Sequence, residues 1–446
     1  MSNNLSRFNL YNNYYITKSL SNWEGFFLLA FRSFVFLILR NMSSKKSAAI
    51  GFIFITMLID IIGIGIIIPV IPKLLKELNH SDISEAAQLG GWLAFAYAFT
   101  QFLCAPLMGS LSDKYGRRPV LLISLLAFAV DYLVLALAPN VPWLFVGRII
   151  AGITGASIST AMAYISDVST PENKAKNFGL VGAAFGIGFI IGPVIGGLLG
   201  QFGSRVPFYA AAALCFVNFV YGYFVLPESL TPEKRRVFEW KAANPIGALA
   251  RLKKFPNIIG LVSAMFFMYF ASHAVNGNWS FYTMYRYNWD ERMVGISLGV
   301  VGVLVALVHG VLVRFVNPRI GNGKSILIGY SVNSVGLLLI AFASQEWMVF
   351  VFLIPYCLGG LAGPAIQSEI TNHVPANEQG QIQGTLASLN SATATFGPLV
   401  MTSIFYFFTH DSAPFKFPGA PFVLASILMV FAFFMAYKGL KKTQSI

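Results

Sequence analysis

Apolar residues fall along this chain in long runs separated by short polar stretches. Ala48–Pro69, Val120–Ala138 and Pro421–Tyr437 are examples, each close to the ~20 residues that cross a bilayer as a helix. Only helices or closed barrels satisfy every backbone group in lipid, and these runs lack the alternation of barrel strands. The pattern predicts twelve spans, at 47–71, 88–110, 119–138, 142–166, 177–200, 207–226, 256–278, 293–316, 324–344, 347–369, 381–408 and 420–437. The expected fold class is an all-α integral membrane protein lodged in a lipid bilayer. Composition agrees: 56% of residues are hydrophobic and 11% charged, against about 25% charged in soluble domains.

The net charge of +13 does not call for a nucleic-acid partner once its placement is read. With both termini on one side, the tails and loops of that side hold 24 of the 31 Lys and Arg, the opposite loops hold six, and Arg148 falls inside a span. The positive-inside rule makes the basic side cytoplasmic. The longest polar stretch, Pro227–Phe255, then forms a cytoplasmic linker between six-helix units at 47–226 and 256–437, with a cytoplasmic tail at 438–446. Residues 1–46 form an N-terminal extension. Its apolar run Gly25–Arg40 is too short to span and suits an interfacial helix; alternatively, translation starts at Met42.

The two units repeat each other. An offset of 205 residues takes Gly116 to Gly321, Gly155 to Gly360, Gly179 to Gly384, Gly192 to Gly397 and Pro193 to Pro398. Five matches at one offset, each at the same place in the helix plan, point to tandem six-helix repeats with a central site between them.

Three patterns carry candidate chemistry. Between the second and third spans, the chain reads Gly109-Ser110-Leu111-Ser112-Asp113-Lys114-Tyr115-Gly116-Arg117-Arg118-Pro119. Gly116 permits a tight reversal, Pro119 suits a helical first turn, and Asp113 lies close enough to Arg117 to pair. In the fifth span, Gly188, Gly192, Pro193, Gly196 and Gly197 combine small residues at four-residue spacing with a bend; a plain packing face is the alternative. Third, ionisable residues well inside the spans, away from their ends, are few: Asp60, Asp131 and Arg148. A charge at the bilayer centre costs at least ~2.5–3.5 kcal/mol, so each is a candidate functional group. At 1.5 Å per residue all three sit at similar depth. An arginine between two carboxylates can hold one ionised and leave the other free to take a proton, which is the minimum equipment of a proton relay; a static ion pair is the alternative.

Gln101, Asn333, Gln367 and Asn390 are uncharged polar residues inside spans, candidates for a substrate cavity or for helix–helix hydrogen bonds. Cys104, Cys215 and Cys357 give neither a disulfide framework nor a metal spacing. The histidines His80, His273, His309, His373 and His410 form no ligand cluster, and His273 and His309 fall near span ends, as interfacial groups. No metal or cofactor is expected. The linker acids Glu228, Glu233 and Glu239 have no His or Cys beside them and no matching partners, so an embedded enzyme is not expected.

The loop from Gly109 to Pro119 resembles the signature loop of the major facilitator superfamily. The Gly188–Gly197 pattern resembles the antiporter motif of its drug/proton exchangers. From about residue 47 to 437 the chain resembles the tetracycline/proton antiporters. The matching stretches are Asp60-Ile61-Ile62-Gly63-Ile64-Gly65, Gln101, Asp131-Tyr132-Leu133, Gly147-Arg148, Gly152-Ile153-Thr154-Gly155-Ala156, Gly295-Ile296-Ser297-Leu298 and Gly397-Pro398. The resemblance implies the major facilitator fold and proton-coupled export of small amphipathic molecules by a monomer in a bacterial-type inner membrane. It implies that Asp60 and Asp131 are essential carboxylates, that Arg148 supports them and that Gln101 faces the substrate. It also implies that the loop, through Gly109, Asp113, Gly116, Arg117 and Arg118, works as a conformational latch bridging to the other half. The chain departs from the family twice: the acid of the ninth span falls on Asn333, and the histidine of the eighth on Val305. Uniport or uptake of a small metabolite stays open beside antiport.

Overall fold

The apolar runs fold as helices because no competing water satisfies their backbone groups, and turn residues end them. In the computed structural model, which describes residues 45–155, 157–170, 173–235, 255–375 and 378–444, twelve helices among the described residues are long and apolar enough to cross a membrane. They are α1 (Lys45–Ile67), α2 (Ile83–Tyr115), α3 (Arg117–Leu137), α4 (Val141–Thr154 and Ser157–Val168), α5 (Lys174–Gly200), α6 (Val206–Val225) and α7 (Ile259–Asn276). There follow α8 (Glu291–Leu307, continued to Ile320), α9 (Asn322–Phe342), α10 (Glu346–Leu358 and Ala362–Asn372), α11 (Gln379–Thr409) and α12 (Ala420–Gln444). The apolar run Gly25–Arg40, Met42 and most of the expected linker lie outside the described residues.

Local chemistry sets the boundaries. The first span ends early, at Ile67, and after a turn the chain continues as a short amphipathic helix, Ile71–Asn79, with Pro72 in its first turn. The second starts early, because the Asp82 side chain accepts from Glu85 N at 2.8 Å and caps it. Asp290 caps α8 likewise through Met293 N at 2.8 Å. Gly116 and Gly321, paired by the repeat, both take positive φ (+108° and +83°) in the turns α2–α3 and α8–α9. Gly155 and Gly360, also paired, mark breaks in α4 and α10. The last helix runs on through most of the residues read as a tail.

Within the first six helices α1 packs on α5, α3 on α6 and α2 on α4; within the last six α7 packs on α12 and α11, and α9 on α12 and α10. Across the halves, α2 meets α11 and α5 meets α8. These crossings are tight at one end only. A Cβ on Gly295 would stand 3.1 Å from Gly197 Cα, and one on Gly197 would be 3.1 Å from Arg292 Cα. Beyond the ends of α1 and α7, the Ser280 hydroxyl donates to Ile68 O at 3.1 Å, and Lys73 Nζ lies 3.0 Å from the buried Glu291 carboxylate. At the opposite end, side chains added at Gly109, Gly179, Gly182, Gly186, Gly310 or Gly384 would meet nothing within 4 Å among the described residues. The halves therefore converge where α1 and α7 end and part toward the α2–α3 and α8–α9 turns.

Candidate functional site

The first half gathers its charged residues at one point. Asp131, wholly buried on α3, accepts at Oδ2 from Nη2 of Arg148 on α4. Gly147 leaves room for this, since a side chain there would meet the Asp131 carboxylate. The Arg148 guanidinium lies 5.7 Å from the ring centroid of Tyr97 and 5.9 Å from that of Tyr132, distances at which a ring face attracts a cation. Gln101 Nε2 donates to the Tyr97 hydroxyl at 3.0 Å and to Gly155 O, at the break in α4, at 2.9 Å. Asp60 is buried on α1, one turn before Gly63, where a Cβ would stand 3.2 Å from the Tyr132 hydroxyl. So Gln101 and the Asp131–Arg148 pair, chosen from sequence, meet at one tyrosine that sequence did not single out. A buried pair of this kind is costly to break: removing one partner leaves an uncompensated charge, at about 3–5 kcal/mol.

The second half offers a neutral polar wall. Gln367 on α10 donates from Nε2 to Gln383 Oε1 on α11 at 3.2 Å. Both line an open groove of about 380 Å³ with Pro364, Ser368, Thr371 and Asn372. Asn390, two turns beyond Gln383 on α11, is exposed on the same face. Asn333, expected to line the cavity, is turned elsewhere: its Nδ2 donates to Tyr356 O of α10 at 2.8 Å, and a side chain at Gly359 would collide with it. Depth along a helix, which rise per residue provides, does not determine which way a residue faces. His309, read as interfacial, instead rests its ring on Gly360.

The glycines of α5 serve two partners. Gly188, Gly192 and Gly196 touch α1 within the half, while Gly197 and the Pro193 carbonyl meet Glu291 and Gly295 of α8 in the other half. The motif is thus a packing face, and it is also the seam between the halves.

The loop after α2 is held by ion pairs. Arg117 Nη1 lies 2.5 Å from Asp113 Oδ1, and Arg117 Nε lies 3.2 Å from Asp167 Oδ2 at the end of α4. Glu228, for which no partner was expected, accepts from Arg117 N at 2.8 Å, Arg118 N at 3.2 Å, and Ser229 N and Leu230 N at 3.0 Å. It caps the start of α3, where unpaired N–H groups and the helix dipole favour an anion. The side chain of Arg118 donates to Tyr223 O at 2.7 Å. Among the described residues, the partners of Asp113, Arg117 and Arg118 lie within the first six helices or directly after them. The expected bridge to the other half is not made among the described residues in this conformation.

Comparison with known proteins now places the arrangement. Residues 53–398 match the family described as Major Facilitator Superfamily. The tetracycline resistance protein, class C, of Escherichia coli is 40% identical over 81% of this chain and 90% of its own length. The class H protein of Pasteurella multocida is 35% identical over 86% of this chain and 94% of its own. Among solved structures, a bacterial homologue of the human lysosomal transporter Spinster, in an inward-facing and occupied conformation, superposes with a TM-score of 0.72. At 15% identity, covering 89% of this chain and 97% of that one, it shares the fold. Twelve spans in two facing halves, a buried charge cluster and these relatives lead to one conclusion: the chain belongs to the major facilitator superfamily, alongside its tetracycline resistance proteins, and is a multi-pass membrane transporter, not an enzyme.

Proposed function

We propose that the chain exports small amphipathic, drug-like molecules, tetracycline-like compounds included, in exchange for protons, by rocking residues 47–226 against residues 256–437. The reading rests on one observation: Asp131, wholly buried, pairs with Arg148 beside Tyr97 and Gln101, with Asp60 also buried on α1. With Asp131 ionised, the pair is neutral. A proton on Asp131 removes that partner and leaves the Arg148 cation to the faces of Tyr97 and Tyr132. Proton and substrate then compete for the same cluster, which is the requirement for exchange rather than co-transport. Gln101 on one side, with Gln367 and Asn390 on the other, supplies hydrogen bonds to an amphipathic guest. Asp113, Arg117 and Glu228 bias the rocking equilibrium by fixing the loop at the open end.

The basic loops support cytoplasmic termini and a cytoplasmic 227–255 linker, in a bacterial-type inner membrane. Each cluster is complete within one chain, which supports a functional monomer. Proteoliposomes with an imposed pH gradient and a trapped pH dye provide the test. Compounds from a drug panel, tetracycline among them, should trigger proton release from wild-type protein. Asp131→Asn and Asp60→Asn should abolish it, since an amide carries no proton. Drug flux at equal rate with and without the gradient would replace antiport by uniport.

A further inference from the structure

The two halves carry matching interruptions at glycines the repeat pairs: α4 breaks at Gly155 and α10 breaks over Gly359–Leu361 as a single 3-10 turn. Broken helices expose backbone groups that need partners from neighbouring elements. In the first half the partner is known from geometry: Gln101 of α2 donates to Gly155 O. In the second half the repeat leads from α2 to α8 and from Gly155 to Gly360. There α8 departs from regular geometry as well, in a π-helical turn, Val308–Leu312, closed by Val313 N donating to Val308 O. Such turns occur mostly at functional sites. His309 sits inside this one. Its ring lies against Gly360, with Nε2 2.9 Å from where a Cβ would stand. The offset takes Gln101 to Ala306, one helical turn before His309.

The surroundings favour a role beyond filling space. His309 continues the stripe of Gly295, Gly299 and Gly302, which touches α5 near the closed end; past the point where the halves part, that stripe is exposed, His309 included. The break is clamped from behind by Asn333, whose Nδ2 donates to Tyr356 O, while beyond it α10 presents Gln367 to the groove.

We propose that His309 is a positioning residue: by donating to the Gly360 carbonyl it ties α8 to the break in α10 and so sets the polar wall that carries Gln367, as Gln101 does for the break in α4. The meaning for transport rests on the function proposed above; the contact itself does not, and the test separates the two. Cys357, one turn before Gly360 on α10, is 3% exposed and makes a native reporter once Cys104 and Cys215 are replaced by serine. The full-length chain in native membranes is labelled with N-ethylmaleimide under non-denaturing conditions. His309→Ala and His309→Leu should each speed labelling of Cys357 by about tenfold, the leucine because it restores volume without a donor. His309→Gln, which can donate to the same carbonyl, should label at the wild-type rate. Wild-type labelling in His309→Leu would make the ring a space-filler and overturn the proposal. Labelling of His309→Gln as fast as His309→Ala would overturn it equally. The predicted order in a chain that moves no drug would uphold the contact while removing antiport.

Discussion

Arg148→Gln isolates what the buried pair contributes. Asp131 is 0% exposed and Arg148's side chain 13%, so neither charge is screened by water. Without the guanidinium, Asp131 loses its ion-pair partner, and the general cost of stranding a buried charge is about 3–5 kcal/mol. Polar contacts in membranes come out weaker than this in double-mutant cycles, typically near ~0.6 kcal/mol and at most ~1.7 kcal/mol for hydrogen bonds. A loss of about 2–4 kcal/mol therefore separates an ion pair from an ordinary helix–helix hydrogen bond. Asp131→Asn should cost a comparable amount by stranding Arg148. The double variant Asp131→Asn/Arg148→Gln, with two amides able to bond each other, should recover at least half of either loss. The assay is the denaturant midpoint of purified protein in mixed micelles, followed by tryptophan fluorescence, over all four corners of the cycle. Additive single losses would mean the two side chains do not depend on each other, and the proton-exchange reading would lose its core.

Four further outcomes follow from the contacts. Glu228→Ala should destabilise α3's start by about 0.5–2 kcal/mol, the usual worth of an N-cap, seen as a lower thermal midpoint by size-exclusion fluorescence. Cysteines at Gly91 and Thr402, whose Cβ positions stand 3.2 Å apart across the halves, near the spacing a disulfide takes, should cross-link on oxidation and stop drug flux, which reductant should restore. Asn333→Asp should cost about 1–3 kcal/mol by leaving Tyr356 O without a donor, while the ranking of exported compounds in a susceptibility panel stays unchanged. A cysteine at Lys241 should resist impermeant maleimide in intact cells and react in inverted vesicles.

The spans were readable because hydropathy acts over ~20 residues at once, and the turn glycines because positive φ admits few other residues. Asp60, Asp131 and Arg148 stood out because charge in lipid is costly, but sequence alone does not separate a proton relay from a static ion pair. What escaped depends on direction and distance. Glu228 caps a helix 111 residues back in sequence, and a carboxylate in a polar linker looks solvated until the chain folds. For Asn333, cavity lining and a helix–helix hydrogen bond look alike in sequence, and only the fold shows the bond to Tyr356 O. Tyr97 is one of 18 tyrosines, and only the fold sets it against Arg148. His309 escaped because a π turn shifts the register of everything after it, and no residue type announces one.

The uneven crowding along α5 has a practical meaning for anyone wishing to hold this protein still. Where Gly188, Gly192, Gly196 and Gly197 touch backbone or side chains, a methyl group would collide in the conformation described here. Where Gly179, Gly182 and Gly186 meet no described residue within 4 Å, a methyl group has no such neighbour in this conformation and matters when that end closes. Alanines at the second set leave the present arrangement untouched while penalising its opposite. Three conservative substitutions, without ligand, antibody or cross-link, would thus skew the population toward a single shape and make a frozen specimen out of a moving one.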